Sequence, residues 1–220
     1  MRSFEEIHAI AADRHGGDKA LIAKIGKPTS KAKLKALPED RWLSMMTRCI
    51  FNAGFNWKVI EAKWDGFETA FHRFNVDRCA MMNEDWLDEL LQDTRIVRNG
   101  AKIQAVRDNA VFLQELRSDG GIAKIVSEWQ PEDYIGLLDF LKKRGNRLGG
   151  ATAQYFLRFS GADGFLLSTD VIARLMAEGI IDKAPTSKSG MRSVQQAFNE
   201  WRAQSGRSLT EISRTLAMSI

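Results

Sequence analysis

The residues best supplied to do chemistry lie between Leu138 and Arg158. Lys142, Lys143 and Arg144 load the last turn of an apolar-striped helix with positive charge, and Gly145 stands where a helix-ending glycine belongs. Arg147 follows, and then Gly149-Gly150 opens a second helix whose first amides have no intrahelical acceptor. With no side chains in the way, a phosphate can reach those amides in the field of the helix dipole. Cations beside such an opening would clamp a DNA backbone. The same residues also fit a plain helical hairpin with a solvated basic corner, and spacing alone leaves the two readings level.

Other chemistries are poorly supplied. Three scattered histidines (His8, His15, His72) lack metal-ligand spacing, and the two cysteines, Cys49 and Cys79, are too few for a disulfide framework or a four-thiolate cluster. Neither a metal nor a cofactor is expected, and the cysteines fit a reducing interior. The N-terminus carries charges where a signal peptide needs an apolar run, and no long uncharged segment follows, so a soluble cytoplasmic protein is expected. A chain of 220 residues can bury one sizeable core or two small lobes, and its net charge of +4 leans weakly toward an anionic partner. From Lys19 to Lys35 there are six lysines and no acid. This stretch is either a strip facing nucleic acid or a solvated linker, the linker being slightly favoured.

The elements that must position these residues read as helices throughout. Ser3 and Glu6, and again Ser208 and Glu211, have capping-box spacing. Pro38-Glu39-Asp40 starts a helix in which Trp42, Met45, Met46, Cys49 and Ile50 form one apolar stripe. Asn52 to Trp57 then sets two aromatics and two amides around Gly54, between two helices. Asn83 starts another helix, and Ile103, Val106, Ala110 and Leu113 mark the inward face of a long one. No stretch alternates with period two. The expectation is an all-α fold of about ten helices.

Three stretches together resemble the DNA-3-methyladenine glycosylase I family, within the helix-hairpin-helix DNA glycosylase superfamily. They are Phe51-Asn-Ala-Gly54-Phe-Asn-Trp57; Thr94-Arg-Ile-Val-Arg98-Asn99-Gly-Ala-Lys102-Ile103 running on to Asn109-Ala110; and Leu141-Lys-Lys-Arg-Gly145 with Gly149. The likeness takes in roughly residues 42–180, in the family's order. It implies a single two-lobed domain over residues 1–220, with the hairpin motif at 132–160 and the N- and C-terminal helices sharing one lobe.

The resemblance also implies roles. Lys142, Lys143, Arg144, Gly145, Arg147, Gly149, Gly150 and Thr152 would hold the DNA backbone, and Phe55 would wedge into the gap left by a flipped base. Trp57 and Trp42 would offer stacking faces in a pocket that also takes in Phe51, Asn52 and Cys49, with Asn52 or Asn56 available for polar recognition. Asp170 would stabilise positive charge on the sugar; it is alternatively an ordinary helix N-cap, and Thr169 is one residue away from the same alignment. Ala151 occupies the place of the lysine nucleophile found in strand-cleaving relatives, so strand cleavage is not expected.

Two departures stand out. Cys49 sits where the family has a base-contacting glutamate, and the family's zinc site has no counterpart, with Val171 at one ligand position. The expectation is a monofunctional DNA N-glycosylase for an alkylated purine, 3-methyladenine foremost, acting as a monomer on damaged duplex DNA. The alternative is a non-catalytic binder of damaged or distorted DNA.

Overall fold

A computed structural model describes residues 1–220, and it contains fifteen α-helices and no strand. The first three are α1 (Phe4–Arg14), α2 (Asp18–Ile25) and α3 (Lys31–Lys35). Next come α4 (Glu39–Asn52), α5 (Trp57–Ala62), α6 (Trp64–Ala70), α7 (Val76–Ala80) and α8 (Glu84–Gln92). The long α9 (Gly100–Leu116) and α10 (Gly121–Glu128) precede α11 (Tyr134–Arg144) and α12 (Ala151–Ser160), which flank the hairpin turn. The chain ends with α13 (Thr169–Ala177), α14 (Lys188–Ser205) and α15 (Leu209–Met218). The all-α expectation holds. The helices outnumber the ten expected because α3, α5, α6 and α7 have only five to seven residues each. So short a helix shows no full apolar period, and its start is set by a single side-chain cap such as Ser30, Asn56 or Asn75.

The lysine-rich stretch is not the linker that its composition suggested. It folds into α2 and α3, which bury Leu21, Ile25 and Leu34 while all six lysines stay exposed. Burying three apolar side chains at helical spacing outweighs the repulsion of lysines that remain in water.

The chain divides into two compact units. The first comprises Met1–Thr29, Trp129–Leu137 and Gly161–Ile220. Its core joins Phe165 to Tyr134, Phe198 and Trp201 through ring contacts of 4.5–5.7 Å. The capping boxes of α1 and α15 are both formed, and Asp163 accepts the amides of Leu209 and Thr210 at the start of α15.

The second unit comprises Ser30–Glu128 and Leu138–Ser160. Its centre is α4, which packs against α9 and α12. Trp64, Phe67, Phe71 and Phe74 stack in a near-parallel ladder. His72, Arg73 and Phe74 are left-handed at φ 51–57°, an uncommon run for non-glycine residues, and Arg41 fixes it by donating to the Arg73 carbonyl at 2.8 Å. In this way α9, running along α4, holds the two loops described next.

Candidate nucleic-acid interface

The hairpin turn is built by a buried amide on α9. Asn109 is fully buried; its Nδ2 donates to the Asn146 carbonyl at 3.0 Å, and its Oδ1 accepts the Asn146 amide at 2.8 Å. Asn146 Nδ2 donates in turn to Asp108 at 2.7 Å. Leu148 is buried beneath the turn, while Arg147 is left-handed at φ 59° and donates from Nε to the Ala101 carbonyl at 3.3 Å. Gly145 is not the left-handed helix terminator that its position suggested. An added Cβ there would lie 2.6 Å from Leu148 Cδ1 and 3.0 Å from the Leu141 carbonyl oxygen, so the residue is glycine for close approach. The left-handed glycine is Gly150, at φ 57°.

This turn leaves the amides of Gly149 and Gly150 without partners in the protein, ahead of α12. Thr152 is half-buried in the first turn of α12. The four cations are all exposed but differ in availability. Lys143 pairs with Asp139 at 2.6 Å, and Arg144 pairs with Glu115 at 3.1 Å while lying over the Phe112 and Phe140 rings. Lys142 makes no ion pair and is the most available of the four.

The second loop leaves the end of α4. Gly54 is left-handed at φ 74°, and the Phe55 amide donates back to the Asn52 carbonyl at 3.1 Å. Phe55 is 41% exposed and Trp57 40% exposed, high values for rings of their size. Asn56 is committed locally: its Oδ1 caps α5 by accepting the Lys58 amide at 3.0 Å. Asn52 is buried at 6% exposure, and its Oδ1 has no partner. An acceptor left unpaired at that depth costs about 1–3 kcal/mol.

Trp57 does not stand alone. Tyr155 and Phe159 of α12 meet its ring edge-on at 5.1 and 5.5 Å, and Phe159 is itself 44% exposed. These two residues were missed in the sequence, although their i, i+4 spacing on α12 was the signal that could have found them. A third residue, Lys102, lies in the second family-like stretch but was given no role there. Its Nζ donates to the Phe51 and Ala53 carbonyls at 3.1 and 2.6 Å and lies 4.5 Å from the centre of the Phe55 ring.

Three of the expected pocket residues are placed elsewhere. Trp42 is fully buried, edge-on to Phe156, with Nε1 donating to the Leu37 carbonyl. Phe51 is fully buried against Phe67. Both are core aromatics, because the apolar stripe of α4 faces the interior, and neither offers a free face to a base. Cys49 is buried as well. Burial pushes its thiol up to about 12, against a smaller opposing pull from Arg48, so it stays protonated and cannot replace a carboxylate. Cys79 is pushed to about 12 by burial in the same way. Neither thiol is therefore expected to react with an aromatic disulfide reagent at neutral pH until the protein is unfolded; rapid labelling of the native chain would contradict this.

Asp170 lies in the first unit, in the opening turn of α13. It is exposed and makes no ion pair, and it is not the N-cap. That role belongs to Ser168, whose side chain accepts the Val171 amide at 3.3 Å. The approach to α13 is pinned by Ser213, which exchanges hydrogen bonds with the Leu166 amide and carbonyl at 3.0 and 3.3 Å. Thr169 is also exposed.

Known proteins resemble parts of this chain. Residues 36–135 match the family described as methyladenine glycosylase, a stretch that includes the Phe55 loop and α9 but ends before the hairpin turn and Asp170. DNA-3-methyladenine glycosylase 1 of Escherichia coli K12 is 32% identical over 68 residues, which are 31% of this chain and 36% of that protein. The chain thus spans about a third of the length of that curated relative. Among solved structures, the 8-oxoguanine DNA glycosylase of Thermotoga maritima is 18% identical with a TM-score of 0.51, covering 97% of this chain and 95% of that one. The Methanocaldococcus jannaschii 8-oxoguanine glycosylase/lyase, solved with a DNA 15mer containing 8-oxoguanine, is 18% identical with a TM-score of 0.50, over 84% of this chain and 82% of that one. At such identity these two establish the fold alone. Residues 36–135 are thus similar to the methyladenine glycosylase family, and the chain has the all-helical fold of the two 8-oxoguanine glycosylases.

Proposed function

We propose that this protein is a DNA N-glycosylase that excises an alkylated purine, 3-methyladenine first among candidates, and leaves the strand uncut. The observation that carries this reading is the loop after α4. Within the family-matching residues it exposes Phe55 and Trp57 together, and Tyr155 and Phe159, beyond that stretch, back Trp57.

In this reading the Gly149 and Gly150 amides and Lys142 hold the phosphate backbone, which fixes register without reading sequence. The damaged nucleotide leaves the stack at a cost of a few kcal/mol, and Phe55 fills the gap. Trp57, Tyr155 and Phe159 supply π faces, and the unpaired Oδ1 of Asn52 supplies an acceptor for an exocyclic amine. An alkylated purine carries positive charge, so it departs with the bonding electron pair as a neutral base. The carboxylate of Asp170 balances the charge that develops on the sugar. A water molecule then bonds to the anomeric carbon and releases its proton. Ala151 provides no amine to take the place of that water, which supports release without strand cleavage.

The test is to incubate the chain with methylated duplex DNA and separate the released bases. The expected result is release of a methylated purine, with the strand intact until alkali is added. Trp57→Ala should slow release by about 10–100-fold, as losing one base–aromatic stack does. No release from any methylated duplex would overturn the reading. One observation favours the non-catalytic alternative: Cys49 is a protonated thiol where the family has a glutamate. That alternative predicts binding to an abasic-site duplex with no base released from any substrate.

A further inference from the structure

We propose that Lys102 is a positioning residue: from α9 it clamps the Phe55 loop and ties it to the hairpin that α9 also holds. The inference deepens the function proposed above and rests on it for its DNA-dependent part.

Lys102 is 7% exposed and has no carboxylate partner. Lysine is rarely buried so fully unless its charge is met. Here the ammonium is met by the Phe51 and Ala53 carbonyls at the C-terminal end of α4, where the helix dipole is negative and carbonyls lack intrahelical partners. It also lies over the Phe55 ring, which keeps the ring at the loop tip. Burial, aided by the nearby Arg147, pulls its pKa below the ordinary lysine value, so part of its hydration has been given up to occupy this place.

The same helix secures the hairpin. Lys102 and Asn109 are seven residues apart. That is two turns, so both lie on one face of α9, about 10 Å apart along its axis. One grips the Phe55 loop and the other grips Asn146, while Arg147 reaches back to the carbonyl of Ala101, next to Lys102. A rigid helix that fastens both loops within two turns of one another fixes the wedge at a set distance from the phosphate-binding amides. A long side chain ending in a cation with several donors suits the place, because its stem must cross to α4.

The experiment compares the wild type with Lys102→Met and Lys102→Arg, using the full chain. In the free proteins, amide hydrogen exchange is read at residues 53–57 and 145–150. With DNA, binding to an abasic-site duplex, unstacking of 2-aminopurine beside the lesion, and single-turnover release are measured. Lys102→Met should exchange faster at 53–57 only, bind the abasic duplex nearly as well as the wild type, and lose unstacking and release by about 10²-fold, the scale of a misplaced reacting group. Lys102→Arg keeps a cation and its donors and should recover most of the protection and unstacking. It also serves if the methionine variant does not fold. Unchanged exchange at 53–57 in Lys102→Met would overturn the clamp. So would Lys102→Arg losing protection as the methionine variant does, or the hairpin and duplex binding failing together with the loop. If the wild type releases no base, the proposed function fails, while the exchange data still decide the role of Lys102.

Discussion

Asp170→Asn is expected to abolish base release while leaving duplex binding and folding unchanged. The side chain is exposed and unpaired, and Ser168 provides the cap of α13, so the amide replaces the carboxylate without loss of a structural hydrogen bond. Its folding cost should stay within about 1 kcal/mol, the usual worth of a negative charge at a helix N-terminus. Release should fall by about 10²–10⁴-fold, the contribution of one positioned carboxylate to such a step. Single-turnover release from methylated duplex, abasic-duplex affinity and the melting temperature are measured together. Thr169→Ala serves as the neighbouring control and should release base at close to the wild-type rate. Release by Asp170→Asn at the wild-type rate would remove Asp170 from the mechanism, and a loss confined to Thr169→Ala would transfer the role by one residue.

Asn109→Ala is expected to weaken DNA binding by loosening the hairpin from within. Asn109 satisfies both backbone groups of Asn146 and packs under Gly145, where an added Cβ would come within 3.2 Å of its Oδ1. Truncation leaves a part-buried amide and carbonyl unpaired, at up to about 1–3 kcal/mol each. The left-handed conformation of Arg147, which those hydrogen bonds hold, would then relax. With the Gly149 and Gly150 amides no longer aligned, fewer phosphates are engaged. The logarithm of the binding constant should then fall less steeply with the logarithm of salt, because the slope is about −0.9 per phosphate contacted. Duplex binding followed over a range of salt concentrations, with melting in parallel, checks this. A melting temperature that drops while affinity and salt slope stay constant would show that the hairpin is not the anchor.

What the sequence by itself determined is the local part. Ser3 with Glu6, and Ser208 with Glu211, are capping boxes in the chain and in the fold, and Asn83 starts α8 as its type suggests. Ile103, Val106, Ala110 and Leu113 of α9 are buried as their spacing suggests, and the order of the three family-like stretches was visible without coordinates. Each of these depends on residues within about one helical turn, so spacing and residue type carry the information. Tertiary structure decided which aromatic is a face and which is core. Trp42, the weaker candidate because its place on the apolar stripe already accounts for it, is enclosed by Phe156 and the Leu37 carbonyl, while Trp57 stays open beside Tyr155 and Phe159. It also decided that Gly145 makes room rather than a left-handed turn, and that Ser168, not Asp170, caps α13. Lys102 is the clearest case. A lysine in a helix is ordinarily solvated, and only the unpaired carbonyls at the end of α4, some fifty residues earlier in the chain, give this one a reason to be buried. Periodicity reports that a side chain turns inward, but the partner that makes burial favourable belongs to another element and is fixed only when the helices pack.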